Sequence, residues 1–194
     1  MNDLPKRKSG RLKGYDYSRN GAYFITICVQ DRLNILSRIE GDEISGPDLQ
    51  LSQFGQIVEK WMKYIPVKYP CVVVDKYVVM PNHIHIILII DNDIEDVSSG
   101  TGNPSPTVGQ IIGWFKYAVT KQINQMQNQA GERLFQRSYY DHIIRNESGY
   151  QEIWQYIDGN PAKWKQDRFY VADLPVLLES ERTPQCVGDG FPVP

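Results

Sequence analysis

Three apolar runs dominate the first half of the chain. Residues 22–29, Ala22-Tyr23-Phe24-Ile25-Thr26-Ile27-Cys28-Val29, are aromatic and β-branched enough to predict a buried strand. Residues 71–79 and 83–90 flank Met80-Pro81-Asn82 and predict two adjacent strands, an antiparallel pair turning at that tripeptide. Between the first run and this pair, residues 35–51 hold two glycines, Pro47 and several acids, which reads as a short hairpin or loop. Ser52 then caps a helix whose Ile57, Val58, Trp61, Met62 and Ile65 recur at helical spacing, with Pro66 as its expected end.

The second half changes period. Residues 91–106 are polar and aperiodic and predict a mobile loop. Thr107 caps a second helix with a stripe of Val108, Ile111, Ile112, Phe115, Val119, Ile123 and Met126, leaving Trp114, Tyr117 and Lys121 together on the opposite face. Residues 134–144 read as a strand with Arg137, Tyr139 and Asp141 on one face and Tyr140 and His142 on the other. Asn146 caps a third helix running to about residue 159 through Tyr150, Ile153, Trp154 and Ile157, and Pro161 ends it at Asn160. The rest, from residue 166, is a proline-rich tail expected to wrap the surface or fray, and no internal repeat is evident.

Composition narrows the class. At 194 residues and 41% hydrophobic content, the expectation is one domain over residues 15–165 with a basic arm before it, and a cytoplasmic protein without a membrane span. Cys28, Cys71 and Cys186 are odd in number and widely spaced, so neither a disulfide framework nor a zinc ribbon is implied. A net charge of −2 excludes coating of nucleic acid by bulk electrostatics and leaves local patches. One such patch is the arm over residues 1–14, where Lys6, Arg7, Lys8, Arg11 and Lys13 face a single acid, Asp3. That arm suits phosphates, although a solvated terminus has the same composition. Trp114, Tyr117 and Lys121 could stack on and neutralise single-stranded nucleic acid; an ordinary surface with a half-buried Trp reads the same way.

Chemistry concentrates at His83 and His85, two of the three histidines in the chain. Residues i and i+2 of a strand face the same way, so the two imidazoles project side by side and can share a divalent metal. Two hydrogen-bonded core histidines would show the same pattern, and the third ligand must come from elsewhere. Tyr156 and Asn160 lie four apart, one above the other on a flank of the third helix. The amide oxygen could complete a metal's ligands and the phenol could attack an electrophile held there, though a snorkelling aromatic on a packed helix gives the same spacing. Tyr117 is the rival nucleophile, but it has Lys121 rather than an amide four residues later.

Pro81-Asn82-His83-Ile84-His85, Phe115-Lys116-Tyr117-Ala118-Val119-Thr120, the run from Gln136 through Asp141 and His142 to Asn146, and Tyr156-Ile157-Asp158-Gly159-Asn160-Pro161 together resemble the HUH single-tyrosine transposases. The branch most similar is that of the REP-associated tyrosine transposases, and the likeness runs from about Arg11 to Trp164. The resemblance implies an α+β, ferredoxin-like or RRM-like sandwich, with a central antiparallel sheet carrying the H-x-H strand and helices packed on one face. It also implies Mg²⁺ or Mn²⁺ on His83, His85 and Asn160, and Tyr156 as nucleophile. The implied reaction is cleavage of single-stranded DNA through a 5′-phosphotyrosine, at imperfect palindromes that fold as hairpins (REP-like repeats). Arg137, Arg145 and the basic arm would grip the hairpin backbone. The insertion-sequence branch has glutamine where this chain has Asn160. Monomer and homodimer both remain open. Two other readings stand beside this one: a zinc hydrolase built on His83, His85 and His142, and a hairpin-binding module without catalysis.

Overall fold

The computed structural model describes residues 14–41, 46–93 and 105–172. The five basic arm residues, most of the loop at 91–106, Cys186 and the tail beyond residue 172 lie outside them. In chain order the elements are β1 (Gly21–Cys28), β2 (Ser37–Glu40), β3 (Asp48–Leu51), α1 (Gln53–Lys68), β4 (Val72–Val79), β5 (His83–Ile90), α2 (Val108–Met126), β6 (Tyr140–Ile144) and α3 (Glu147–Gly159), with short 3₁₀ turns at Gln30–Arg32 and Pro161–Gln166. The expected α+β fold is present. Four strands form one sheet in the order β4-β5-β1-β6, every neighbouring pair antiparallel, with β2 and β3 as a separate hairpin.

Cross-strand partners share a face, so the register sorts the sheet into two sides. Ile84, Ile86 and Leu88 of β5 lie opposite Ile27, Ile25 and Tyr23 of β1. All six are fully buried, in one cluster with Val58, Met62 and Ile65 of α1 and Ile111, Ile112, Phe115 and Val119 of α2. These two helices cover that face. The other face carries His83 opposite Cys28 and His85 opposite Thr26. Here α3 approaches, with the Tyr156 ring 6.0 Å from Phe24 and 5.2 Å from His85.

The predicted caps form. Ser52 Oγ accepts from Gly55 N, Thr107 and Gln110 make a reciprocal capping box, and Asn146 Oδ1 accepts from Gly149 N at 2.8 Å. Gly55 also lets α1 approach the backbone, since a Cβ there would lie 2.0 Å from the Leu36 carbonyl oxygen.

Three elements differ from expectation. Helix α1 runs two residues past Pro66, because the proline removes only its own N–H while Tyr69 N still closes the last turn on the Ile65 carbonyl at 2.9 Å. Met126 ends the α2 stripe beyond the core and is 44% exposed. The strand predicted over 134–144 narrows to Tyr140–Ile144, leaving Arg137 and Tyr139 outside it, with a lone bridge between Val29 and Phe135 upstream. Lys116 explains the break: its ammonium takes the Gln136 and Arg137 carbonyls at 2.5 and 3.1 Å, turning them away from a strand ladder. Among the described residues no helix is long and apolar enough to cross a membrane.

Candidate active site

The imidazoles of His83 and His85 are fully buried, with their Nε2 atoms 3.0 Å apart. The neighbours fix what those nitrogens can be. Asn82 donates through Nδ2 to the carbonyls of Phe169 (2.9 Å) and Arg32 (3.3 Å), which leaves its Oδ1 against His83 Nδ1 at 3.0 Å. An amide oxygen only accepts, so His83 Nδ1 carries the hydrogen and its Nε2 is a bare lone pair. His85 Nδ1 lies 2.9 Å from the buried Thr26 hydroxyl, which can hold the same tautomer. Two bare nitrogens at that separation attract a proton or a cation between them. This is the outer support that metal-binding histidines need.

Burial is the first cause of both imidazoles' shifted titration. It pushes His83 down to about 3, helped by the nearby Arg168 and Arg32 charges, and burial followed by the adjacent His83 pushes His85 well below its ordinary value. The folded, metal-free chain therefore binds fewer protons than the unfolded chain once pH falls below about 6.5. The stability these neutral imidazoles allow is fully present above that pH and is lost progressively as pH drops toward 3. Each contributes a slope of up to about 1.4 kcal/mol per pH unit. Denaturant midpoints measured in EDTA at pH 7.5 and 5.5 should fall for the wild type and fall less for His83→Asn; equal drops would contradict the buried neutral pair.

Oxygen donors come from the end of α3 and the turn after it. The Tyr156 hydroxyl lies 3.3 Å from His85 Nε2 and 3.4 Å from Asp167 Oδ2. Burial first and the Asp167 charge second raise its pKa, so the phenol is protonated at neutral pH. Asn160 is buried and its Nδ2 donates to Asp167 Oδ2 at 3.1 Å, while its Oδ1 is a buried oxygen without a partner. Asp167 is anchored in turn, Oδ1 accepting from Phe169 N at 2.6 Å. Ligand atoms of His83, His85 and Asp167 all lie within 4.8 Å of one another. Two imidazole nitrogens, a carboxylate and an orphaned amide oxygen fit a divalent cation with mixed nitrogen and oxygen ligands.

His83, His85, Tyr156 and Asn160 thus meet, and Asp167 joins them from a stretch read as tail. Its signal was the pair of bulky aromatics around it, Trp164 and Phe169, both of which bury beside His83. The three-histidine site does not form. His142 is exposed on β6 opposite Phe24, two residues along β1 from Thr26 on the same face, because sharing a face does not bring side chains on non-adjacent strands together. Cys28 stands opposite His83, but burial raises its thiol pKa and keeps it protonated.

The predicted DNA contacts scatter. Arg137 and Arg145 are exposed on either side of β6. Trp114, Tyr117 and Lys121 line a groove of about 390 Å³ with Trp61, Ala118 and two glutamines. That groove belongs to the helix layer, across the sheet from the histidines. Two cations beside the site were not foreseen: the Arg168 guanidinium lies 4.5 Å and that of Arg32 5.4 Å from the Phe169 ring centroid. Arg32 is reached through a turn in which it and Asp31 both take positive φ, 56° and 55°, a strained backbone for non-glycine residues.

The fold is shared with a solved structure, that of a REP-associated tyrosine transposase bound to a REP hairpin, which aligns with a TM-score of 0.50 at 18% identity, over 79% of this chain and 73% of that one. No protein-family model matches the sequence. A Haemophilus influenzae (strain ATCC 51907 / DSM 11121 / KW20 / Rd) protein, described as uncharacterized, is 36% identical over 178 residues, 85% of this chain and 93% of that protein. The chain belongs to the same family as that Haemophilus protein.

Proposed function

We propose that this chain is a metal-dependent transposase or nickase that cleaves single-stranded DNA at hairpin-forming repeats, with Tyr156 as nucleophile. The observation that carries the reading is the phenol hydroxyl 3.3 Å from His85 Nε2, at the mouth of a buried donor cluster.

His83, His85 and Asn160 would hold Mg²⁺ or Mn²⁺, with Asp167 as a further oxygen ligand or as the group that orients the Asn160 amide. When bound, the cation supplies Lewis-acid stabilisation of the charge that builds on the scissile phosphate. Tyr156 Oη forms the bond to phosphorus and the P–O3′ bond breaks, leaving a 5′-phosphotyrosine and a 3′-hydroxyl. The phenol hydrogen leaves toward Asp167, whose Oδ2 lies 3.4 Å from the hydroxyl, and solvent water supplies the proton that the departing O3′ takes up. Arg32 and Arg168, the cations beside Phe169 and His83, would meet the phosphate, while Arg137, Arg145 and the basic arm would grip the hairpin backbone. Trp114, Tyr117 and Lys121 would serve a strand passing behind the sheet. The choice of hairpin DNA is supported by the neighbour of the same fold, which was solved on a REP hairpin.

The test incubates the full chain with Mn²⁺ and labelled hairpins drawn from repeats flanking its own gene, then runs a denaturing gel. A covalent protein–DNA band that EDTA prevents is the expected result. Hairpin binding without such a band would sink the nuclease.

A further inference from the structure

Strand β4 contains an irregularity beside the helix that bears Tyr156. Its pairing with β5 slips between Val74, opposite Leu88, and Lys76, opposite Ile87, so Asp75 is an extra residue. Without it, Lys76 would follow the strand's alternation onto the face under α1 and α2, where its neighbour Tyr77 reaches Glu59 of α1 at 2.9 Å. The bulge re-aims Lys76 to the histidine face and delivers Asp75 beside it. Both then hold α3. The Tyr150 hydroxyl donates to Asp75 Oδ2 at 2.5 Å, and Lys76 Nζ donates to Asp158 Oδ1 at 2.5 Å. The Lys76 ammonium also sits 3.8 Å from the centroid of the Trp154 ring.

Tyr150, Trp154 and Asp158 recur every fourth residue, so two consecutive strand residues grip one face of α3 over its length. Tyr156 lies between the last two contacts. Lys76 is half-buried, its side chain 22% exposed, while Asp158 is 58% exposed, so the Trp154 ring contact carries the hold together with the ion pair.

We infer that Asp75 and Lys76, brought together by the bulge in β4, are positioning residues that latch the Tyr156 helix over the histidines of its own chain. The inference rests on Tyr156 being the nucleophile. Neither residue touches the site; they act by fixing where the phenol stands. A hinge that let α3 swing to a second chain would have to break both contacts and expose Trp154.

The test compares wild type with Lys76→Met, Lys76→Arg and Asp158→Asn, using the Mn²⁺ and hairpin assay in single turnover and hydrogen exchange across residues 150–158 without DNA. Misplacing a nucleophile by about 1 Å costs up to ~100-fold, so Lys76→Met and Asp158→Asn should slow adduct formation ~10- to 100-fold at unchanged hairpin affinity. Lys76→Arg should keep most of the rate. Both slowed variants should also exchange faster in α3. Because Asp158 is exposed, its substitution leaves the core intact even where Lys76→Met impairs folding. Equal loss of affinity and rate, or unchanged exchange in α3, would overturn the latch. Mixing His83→Ala with Tyr156→Phe chains should yield no adduct, and a restored band would overturn action within one chain. If wild type forms no adduct while exchange responds as expected, the nucleophile assignment fails and the latch remains as structure.

Discussion

Tyr156→Phe should abolish the covalent protein–DNA band while leaving the fold and hairpin affinity in place. The phenol oxygen is the only atom removed, and it is the atom that must bond to phosphorus. The structural cost is small: its contacts to His85 and Asp167 are long, 3.3 and 3.4 Å, and the side chain is 43% exposed. Losing such hydrogen bonds costs no more than about 1 kcal/mol, well inside the stability of a domain of this size. The ring still packs on Phe24 and His85, so α3 stays in place. In Tyr117→Phe a covalent band should still form, because that hydroxyl sits on the helix layer, across the sheet from the donor cluster. A band that survived in Tyr156→Phe and vanished in Tyr117→Phe would transfer the nucleophile to α2 and leave the histidines without a reaction.

How much of the fold and site is legible in the sequence follows from how local each feature is. The H-x-H pair depends on strand alternation alone, and Tyr156 with Asn160 depends on helical spacing alone, so both were visible. So were the three caps, each a contact within three residues. Asp167 was not, because its place depends on the turn at Pro161–Gln166 folding the chain back until Phe169 reaches His83, and no periodicity describes such a return. The bulge at Asp75 escaped for a related reason: two consecutive charges in an apolar strand look like one charge facing outward and one misplaced. Only the partner strand's register reveals that both face α3. His142 failed in the opposite direction, since alternation supplies the face and not the lateral distance across β1. Lys116 hides similarly, as a lysine on a helix whose burial becomes intelligible only once the Gln136 and Arg137 carbonyls are placed around it.

The second large effect concerns the cation. Mn²⁺ should raise the unfolding temperature of the wild type, and His83→Ala or His85→Ala should remove that rise. Free cation at a hundredfold over its dissociation constant stabilises the folded state by about 2.7 kcal/mol. For a domain of roughly 200 residues, that corresponds to a shift of about 5–10 °C. Comparing each variant with and without Mn²⁺ cancels the packing cost of deleting a buried ring, so the difference reports ligation alone. The oxygen donors are expected to separate from the histidines in the same experiment. The Asn160 oxygen is buried without a partner, whereas Asp167 already accepts from both Asn160 Nδ2 and Phe169 N. If Asp167 mainly orients the amide, Asp167→Ala should weaken Mn²⁺ by ~10- to 100-fold, retaining a shift at saturating metal, and Asn160→Ala should weaken it at least as much. Thr26→Val, which removes the hydroxyl facing His85 Nδ1, belongs with Asp167→Ala, because both leave every first ligand present but badly aimed. A wild-type shift that His83→Ala leaves intact would place the cation elsewhere. The 3.0 Å approach of the two Nε2 atoms would then be a hydrogen bond within the core, with one ring's N–H directed at the other's lone pair.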